Sequence, residues 1–246
     1  MSGGHAVATS GEASGVGRDG DRSASGSGSG DRMTVALAIK LLLSYLAGSV
    51  VGSLLLGRLR GVDIRRQGSG NAGATNALRS QGPAFALAVA AIDVGKGVLA
   101  ALVIARLPWF GADAGSPLAT GLACGLAAAL GHCFPLWHGL RGGKGAGTLF
   151  GAVAALLPWL GLVMLAVWLL VLTGTGYVGL ATVIAGIAFP VALLLSPARA
   201  DPVLLALAIA AAALLLWMHR GNLARLRAGT EPRFERVRLL RRRRDS

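Results

Sequence analysis

The chain has 246 residues, 54% of them hydrophobic and only 14% charged, with a formal net charge of +13. A soluble globule of that make-up would lack the polar side chains needed to coat its surface, so the composition excludes one and points to a polytopic membrane protein. The basic excess does not indicate nucleic acid. Lys and Arg fall in the breaks between apolar runs and in the tail, where they read as topology signals and contacts for membrane lipids.

Residues 1–31 are Gly, Ser and Ala with scattered charge and no apolar signal-peptide core, and they are expected to be disordered. Apolar runs then occur at 33–57, 84–105, 118–135, 147–172, 178–195 and 203–218, long enough for membrane helices. The first carries Lys40 and the small residues Gly48, Ser49, Gly52 and Ser53, which permit a bend or a close helix approach. The loop after it sets Arg58, Arg60, Arg65, Arg66 and Arg79 against one acid, Asp63, and is therefore expected in the cytoplasm, with the N-terminus outside.

That loop contains the most polar stretch of the core sequence, Gly68-Ser69-Gly70-Asn71-Ala72-Gly73-Ala74-Thr75-Asn76-Ala77-Leu78-Arg79. Three glycines within six residues let successive amides turn toward one point, while Ser69, Asn71, Thr75 and Asn76 add side-chain donors and Arg79 a charged fork. The reading is an anion cradle; the plainer one is a tight loop capping a helix. A dinucleotide fingerprint at Gly68, Gly70 and Gly73 is discounted because no buried strand precedes it, and a second match at Gly174, Gly176 and Gly179 shows how little such spacing means here.

The second run holds Asp93 and Lys96 on one helix face, an ionisable pair whose default reading in a membrane segment is functional. The third ends in Gly131-His132-Cys133-Phe134-Pro135 and leads to a second cationic glycine turn, Arg141-Gly142-Gly143-Lys144-Gly145. It is not a P-loop, since His138 and Gly145 stand where Gly and Ser or Thr are required, but glycine-turn amides plus one lysine suit a phosphate. Cys124 and Cys133 have no metal or disulfide spacing and are expected as free thiols, a Cys133 nucleophile beside His132 being the other option. No metal site is expected.

Crossing each remaining run once would leave the arginine-rich tail outside, against the positive-inside rule. Breaking 147–172 at Pro158 restores parity, giving about seven transmembrane helices with the C-terminus in the cytoplasm; a re-entrant segment, giving five, is the alternative. Beyond the last run, His219, Asn222 and Arg225 follow at one-turn intervals, so they project together at the cytoplasmic edge, with Glu231 shortly after. The tail from Arg236 to Arg244 suits anionic lipid headgroups.

In order and spacing these motifs resemble those of the bacterial acyl-phosphate-dependent glycerol-3-phosphate acyltransferases, the PlsY family. The first glycine turn through Arg79, Asp93-x-x-Lys96-Gly97, Gly131-His132-x-Phe134-Pro135 with Gly142-Gly143-Lys144-Gly145, and His219 through Glu231 carry the resemblance, which spans roughly Ser44 to Glu231. Val50-Val51, Leu140 and Ala146-Gly147 depart from the usual pattern without removing a polar group. The resemblance implies an all-α membrane bundle with a disordered 1–31 extension, a transmembrane acyltransferase domain over 32–231 and a basic tail over 232–246. It implies fatty acyl transfer from acyl phosphate to the sn-1 hydroxyl of glycerol 3-phosphate at the cytoplasmic face of the bacterial inner membrane, without a cofactor. Partners implied are the two substrates, membrane lipids and an acyltransferase that makes acyl phosphate. Ser69, Arg79, His132, Lys144 and His219 are the implied catalytic residues. Gly70, Asn71, Gly73, Thr75, Asn76, Asp93, Lys96, Gly142, Gly143, Gly145, Asn222, Arg225 and Glu231 are the implied substrate contacts. The base is left between His132, His219 and the donor's own phosphate. The acyl-CoA enzyme signature His-x-x-x-x-Asp is absent. A transporter of phosphate or a phosphorylated solute is the rival reading, though no internal repeat supports it, and a lipid-binding scaffold is a third.

Overall fold

The computed structural model describes residues 27–108 and 116–234, with side chains from residue 34 onward. The rest, including most of the expected disordered extension, Asp113 and the arginine run 236–244, lies outside the described residues. Every regular element described is helical. These are α1 (Ser27–Gly48), α2 (Gly52–Leu59), α3 (Ala74–Gln81), α4 (Pro83–Val98), α5 (Pro117–Cys133), α6 (Ala146–Leu156), α7 (Pro158–Thr175), α8 (Val178–Leu194), α9 (Pro202–Met218) and α10 (Arg220–Arg227). Helix α1 takes in 27–31, a stretch expected to lack structure.

Proline sets several of these starts. Pro83, Pro117, Pro158 and Pro202 occupy first-turn positions, where the missing N–H costs nothing and the fixed φ suits a helix. Ser116 caps α5 through Ala119 N–H at 3.1 Å, Asp201 caps α9 through Val203 and Leu204 N–H at 3.0 Å each, and the two caps hydrogen-bond to each other. The expected break at Pro158 is present as the α6–α7 junction. Pro83–Arg106, Pro117–His138 and Pro158–Thr175 are each long and apolar enough to cross a membrane, and two bent pairs, α1 with α2 (42°) and α9 with α10 (53°), raise the number to five. The remaining apolar helices are shorter. Helix α6, at 11 residues, is only about 16 Å long.

Small residues let the helices approach closely. A Cβ at Gly97 would land on the Thr148 carbonyl and one at Gly151 on the Val94 carbonyl, so α4 and α6 touch backbone to backbone. Helices α1 and α5 meet similarly through Gly48 and Gly131. The main core gathers Leu122, Leu149, Leu160, Met164, Phe189 and Leu204 from α5 to α9. At the other side, α2, α3 and the first turns of α4 form a cap over the bundle end, closed by Ile64, Ala77, Phe85 and Val89. The site lies where this cap meets the ends of α5 and α9 and the starts of α6 and α8.

Candidate active site

One cavity of about 950 Å³ opens between these elements. That is the upper end of the range for small-molecule sites, roughly 300–1,000 Å³. Its polar mouth is made by the first glycine turn, Lys144 and the segment from His219 to Glu231; its apolar depth is lined by Phe150, Met164, Leu165, Trp168, Ala185 and Leu215.

The first glycine turn is built around Asn76. Only 1% exposed, Asn76 donates through Nδ2 to the carbonyls of Ile64 (3.1 Å) and Gln67 (2.9 Å), and its Oδ1 accepts from Ser69 N–H (2.9 Å). A side chain at Gly68, whose φ is +54°, would strike that Oδ1. Ser53 Oγ donates to Ala72 O at 2.9 Å, pinning the turn to α2. The sequence reading assigned Asn76 to substrate; its side chain is instead spent on holding the turn. With the Ser69 and Gly70 amides also bonded internally, the cradle's remaining amides run from Asn71 into the start of α3. That helix begins at Gly73 without a side-chain cap, and Ala74 and Thr75 line the cavity. Helix α6 likewise starts at Gly145 (φ +77°) without a cap, with Ala146 and Gly147 on the cavity wall, and α8 starts there through Val178 and Gly179, again uncapped. Three uncapped helix N-termini, each carrying partial positive charge and unpaired N–H groups, therefore face one space.

Cations complete the mouth. Lys144 Nζ hydrogen-bonds Asn222 Oδ1; Asn222 Nδ2 donates to Glu231 Oε1 at 2.6 Å, and Arg225 Nε donates to Glu231 Oε2 at 2.8 Å. Burial and then the positive charge of Arg225 push the Lys144 ammonium down to about 8, against the pull of Glu231. Arg79 reaches the cavity from α3 with its guanidinium 4.7 Å above the Phe234 ring, and Phe234 N–H bonds Gly176 O at 2.8 Å. His219 Nδ1 lies 2.8 Å from the Leu215 carbonyl, a pure acceptor. Nδ1 must therefore carry the proton, and Nε2 of the neutral ring is left with a lone pair.

Of the residues singled out in the sequence, Ser69, Gly70, Asn71, Gly73, Thr75, Asn76, Arg79, Asp93, His132, Lys144, Gly145, His219, Asn222, Arg225 and Glu231 come together on this cavity. Lys96, Gly142 and Gly143 do not line it. The Gly142 and Gly143 amides bond the Cys133 and His132 carbonyls, each at 3.1 Å, so they brace the end of α5 and leave anion binding to the start of α6. Lys96 is buried behind Asp93 and His132, and the Asp93 carboxylate accepts from Gly52 N–H at 3.2 Å. Cys133 is buried and, like Cys124, a free thiol. Among the described residues no group of His, Cys, Asp and Glu is placed to hold a metal ion. The sequence reading missed Phe234, the start of α8 and the Trp168 Nε1–H bond to Thr182 Oγ1 (3.2 Å) on the apolar wall. Gly179, discounted as part of a chance fingerprint, packs on Asn222, and a Cβ there would come within 2.8 Å of the Asn222 Cβ.

A sequence model of the family described as Glycerol-3-phosphate acyltransferase matches residues 38–229. The chain belongs to that family. Glycerol-3-phosphate acyltransferase 1 of Deinococcus radiodurans is 42% identical over 203 residues, covering 82% of this chain and 98% of that relative. The glycerol-3-phosphate acyltransferase of a Synechococcus strain is 40% identical over 203 residues, with 82% and 97% covered. Among solved structures, an integral membrane glycerol 3-phosphate acyltransferase, PlsY, in its glycerol 3-phosphate form superposes with a TM-score of 0.73 at 35% identity, over 81% of this chain and 96% of that one. Its lysophosphatidic acid form gives 0.72, over 81% and 95%. This glycerol-3-phosphate acyltransferase family member is accordingly an all-helical, multi-pass integral membrane protein.

Proposed function

We propose that the chain transfers a fatty acyl group from acyl phosphate to the sn-1 hydroxyl of glycerol 3-phosphate, releasing lysophosphatidate and inorganic phosphate. The observation that carries this is the division of one cavity into a cationic mouth faced by three uncapped helix N-termini and an apolar depth. Both substrates present a phosphate, and one of them also presents a hydrocarbon chain. The names and ligand forms of the similar proteins support the same substrate and product. The basic loops and tail support a site facing the cytoplasm and about seven crossings of the bacterial inner membrane. An acyltransferase that produces acyl phosphate then supplies the donor, and membrane lipid surrounds the bundle.

An acyl phosphate is an activated mixed anhydride, so the protein has to position, neutralise charge and stabilise the tetrahedral oxyanion. Lys144, Arg79 and Arg225 hold phosphate oxygens, assisted by the amides at the starts of α3 and α6. The glycerol hydroxyl attacks the carbonyl carbon, a C–O bond forms, and the carbonyl–phosphate C–O bond breaks. The hydroxyl proton goes to the departing phosphate, whose second pKa of about 6 suits it. The His219 Nε2 lone pair orients that hydroxyl. Purified protein given palmitoyl phosphate and glycerol 3-phosphate is expected to release one inorganic phosphate per lysophosphatidate, with the acyl group at sn-1 by NMR of the product. Acylation without phosphate release, or acyl at sn-2, would overturn the proposal.

A further inference from the structure

Behind the cavity, Lys96 Nζ sits 2.8 Å from Gly48 O, 2.9 Å from Val50 O, 2.8 Å from His132 Nδ1 and 3.2 Å from Asp93 Oδ1. The two carbonyls can only accept, so each takes one ammonium proton. They belong to the end of α1 and the turn after it, and fix the ammonium in place. The third proton points to the remaining pair, where the imidazole is closer than the carboxylate. An Nδ1–H at that position would set two donors against each other at 2.8 Å, so Nδ1 must accept. The Asp93 carboxylate at 3.2 Å keeps the lysine charged in this enclosed setting.

We infer that Lys96 is a positioning residue that locks His132 as the neutral Nε2–H tautomer, making His132 a hydrogen-bond donor to the substrate and not the base. His132 lines the cavity, and Nε2 has no partner among the described residues and is not one of the enclosed, unpaired polar atoms. Its N–H is therefore free for a phosphate or carbonyl oxygen. The ring is clamped from the other side: a Cβ at Gly143 would fall on Nε2, and Gly143 N–H bonds the His132 carbonyl at 3.1 Å. The two cavity histidines thus carry opposite tautomers, His132 donating where His219 accepts. The donor role rests on the acyl-transfer proposal; the tautomer does not.

The test separates the two. With ¹⁵N-histidine in lipid nanodiscs, the chain's 4 histidines can be assigned by single substitution, and Nδ1 and Nε2 shifts read each tautomer directly. His132 is expected protonated at Nε2 and His219 at Nδ1. In Lys96→Met, with folding checked by circular dichroism, the Asp93 carboxylate, 3.3 Å from His132 Nδ1, becomes the neighbour of that nitrogen. The tautomer should switch to Nδ1–H and activity should fall about 10²-fold or more. His132→Gln, whose amide nitrogen falls near Nε2, should keep activity within about tenfold of wild type, whereas His132→Asn and His132→Ala lose about 10²-fold. Wild-type His132 protonated at Nδ1, or an unchanged tautomer in Lys96→Met, would overturn the inference. So would His132→Gln being as impaired as His132→Ala. The expected shifts in a protein without acyl transfer would overturn the proposed reaction and leave the tautomer standing.

Discussion

Replacing Asn76 by Ala should loosen the first glycine turn without removing a substrate contact. The side chain makes three hydrogen bonds, to Ile64 O, Gln67 O and Ser69 N–H, from a position 1% exposed. Each is worth about 1 kcal/mol net. Because Ser69 is exposed and Gln67 half-buried, both regain some hydration when freed, and the expected loss of local order is about 2–3 kcal/mol. At 1.4 kcal/mol per decade, that is a rise of about 30- to 150-fold in the opening equilibrium that governs hydrogen exchange. Exchange measured by mass spectrometry in nanodiscs, on a peptide covering residues 64–73, should accelerate by that factor, with kcat and KM for glycerol 3-phosphate both worsening. Asn76→Asp keeps the acceptor for Ser69 N–H but loses both donated bonds, and should fall between. Unchanged exchange together with a rise in KM alone would refute this reasoning and return Asn76 to the substrate.

Three further outcomes follow from the same geometry. The free-protein Lys144 ammonium, held near 8 by burial and Arg225, loses its charge as pH rises through that value, so kcat/KM for glycerol 3-phosphate should fall above pH 8. A bound phosphate dianion stabilises the ammonium, so kcat should hold to higher pH, and Lys144→Arg should abolish the fall if it stays active. Gly97→Ala or Gly151→Ala drives a methyl into the backbone of the facing helix and should cost about 1–3 kcal/mol in thermal unfolding in detergent. Gly174→Ala, with nothing within 4 Å of the added carbon, serves as a neutral or slightly stabilising control. Phe234→Ala removes the ring beneath Arg79 and should raise KM for glycerol 3-phosphate about two- to fivefold with kcat unchanged; no effect on KM would show that the stack does not position Arg79.

Much of the architecture was legible because a membrane makes few helical solutions available. Apolar length placed the helices, and Pro158 marked the α6–α7 break. The site was legible as a set of polar motifs interrupting hydrocarbon, and fifteen of the eighteen residues chosen converge on one cavity. What failed was the division of labour among them. Asn76, Gly142 and Gly143 look like ligand contacts by residue type, but their hydrogen-bonding groups are consumed by the carbonyls and amides around them, a matter of tertiary geometry that spacing cannot convey. Lys96 was grouped with the substrate cations because its three-residue offset from Asp93 shows pairing, whereas its contact with His132 joins positions 36 apart. Phe234 and the start of α8 carry no motif at all. They matter only because the chain beyond α10 returns to the α7–α8 turn.

The central claim is that the mouth of this cavity activates an acyl phosphate for attack by glycerol 3-phosphate. The most direct measurement offers purified protein in lipid labelled glycerol 3-phosphate with either palmitoyl phosphate or palmitoyl-CoA, beside folded Lys144→Ala. Lysophosphatidate from palmitoyl phosphate alone, falling about 10²-fold or more in the variant, is the predicted result. Product from palmitoyl-CoA as readily, or none from either donor in protein shown to be folded, would contradict it.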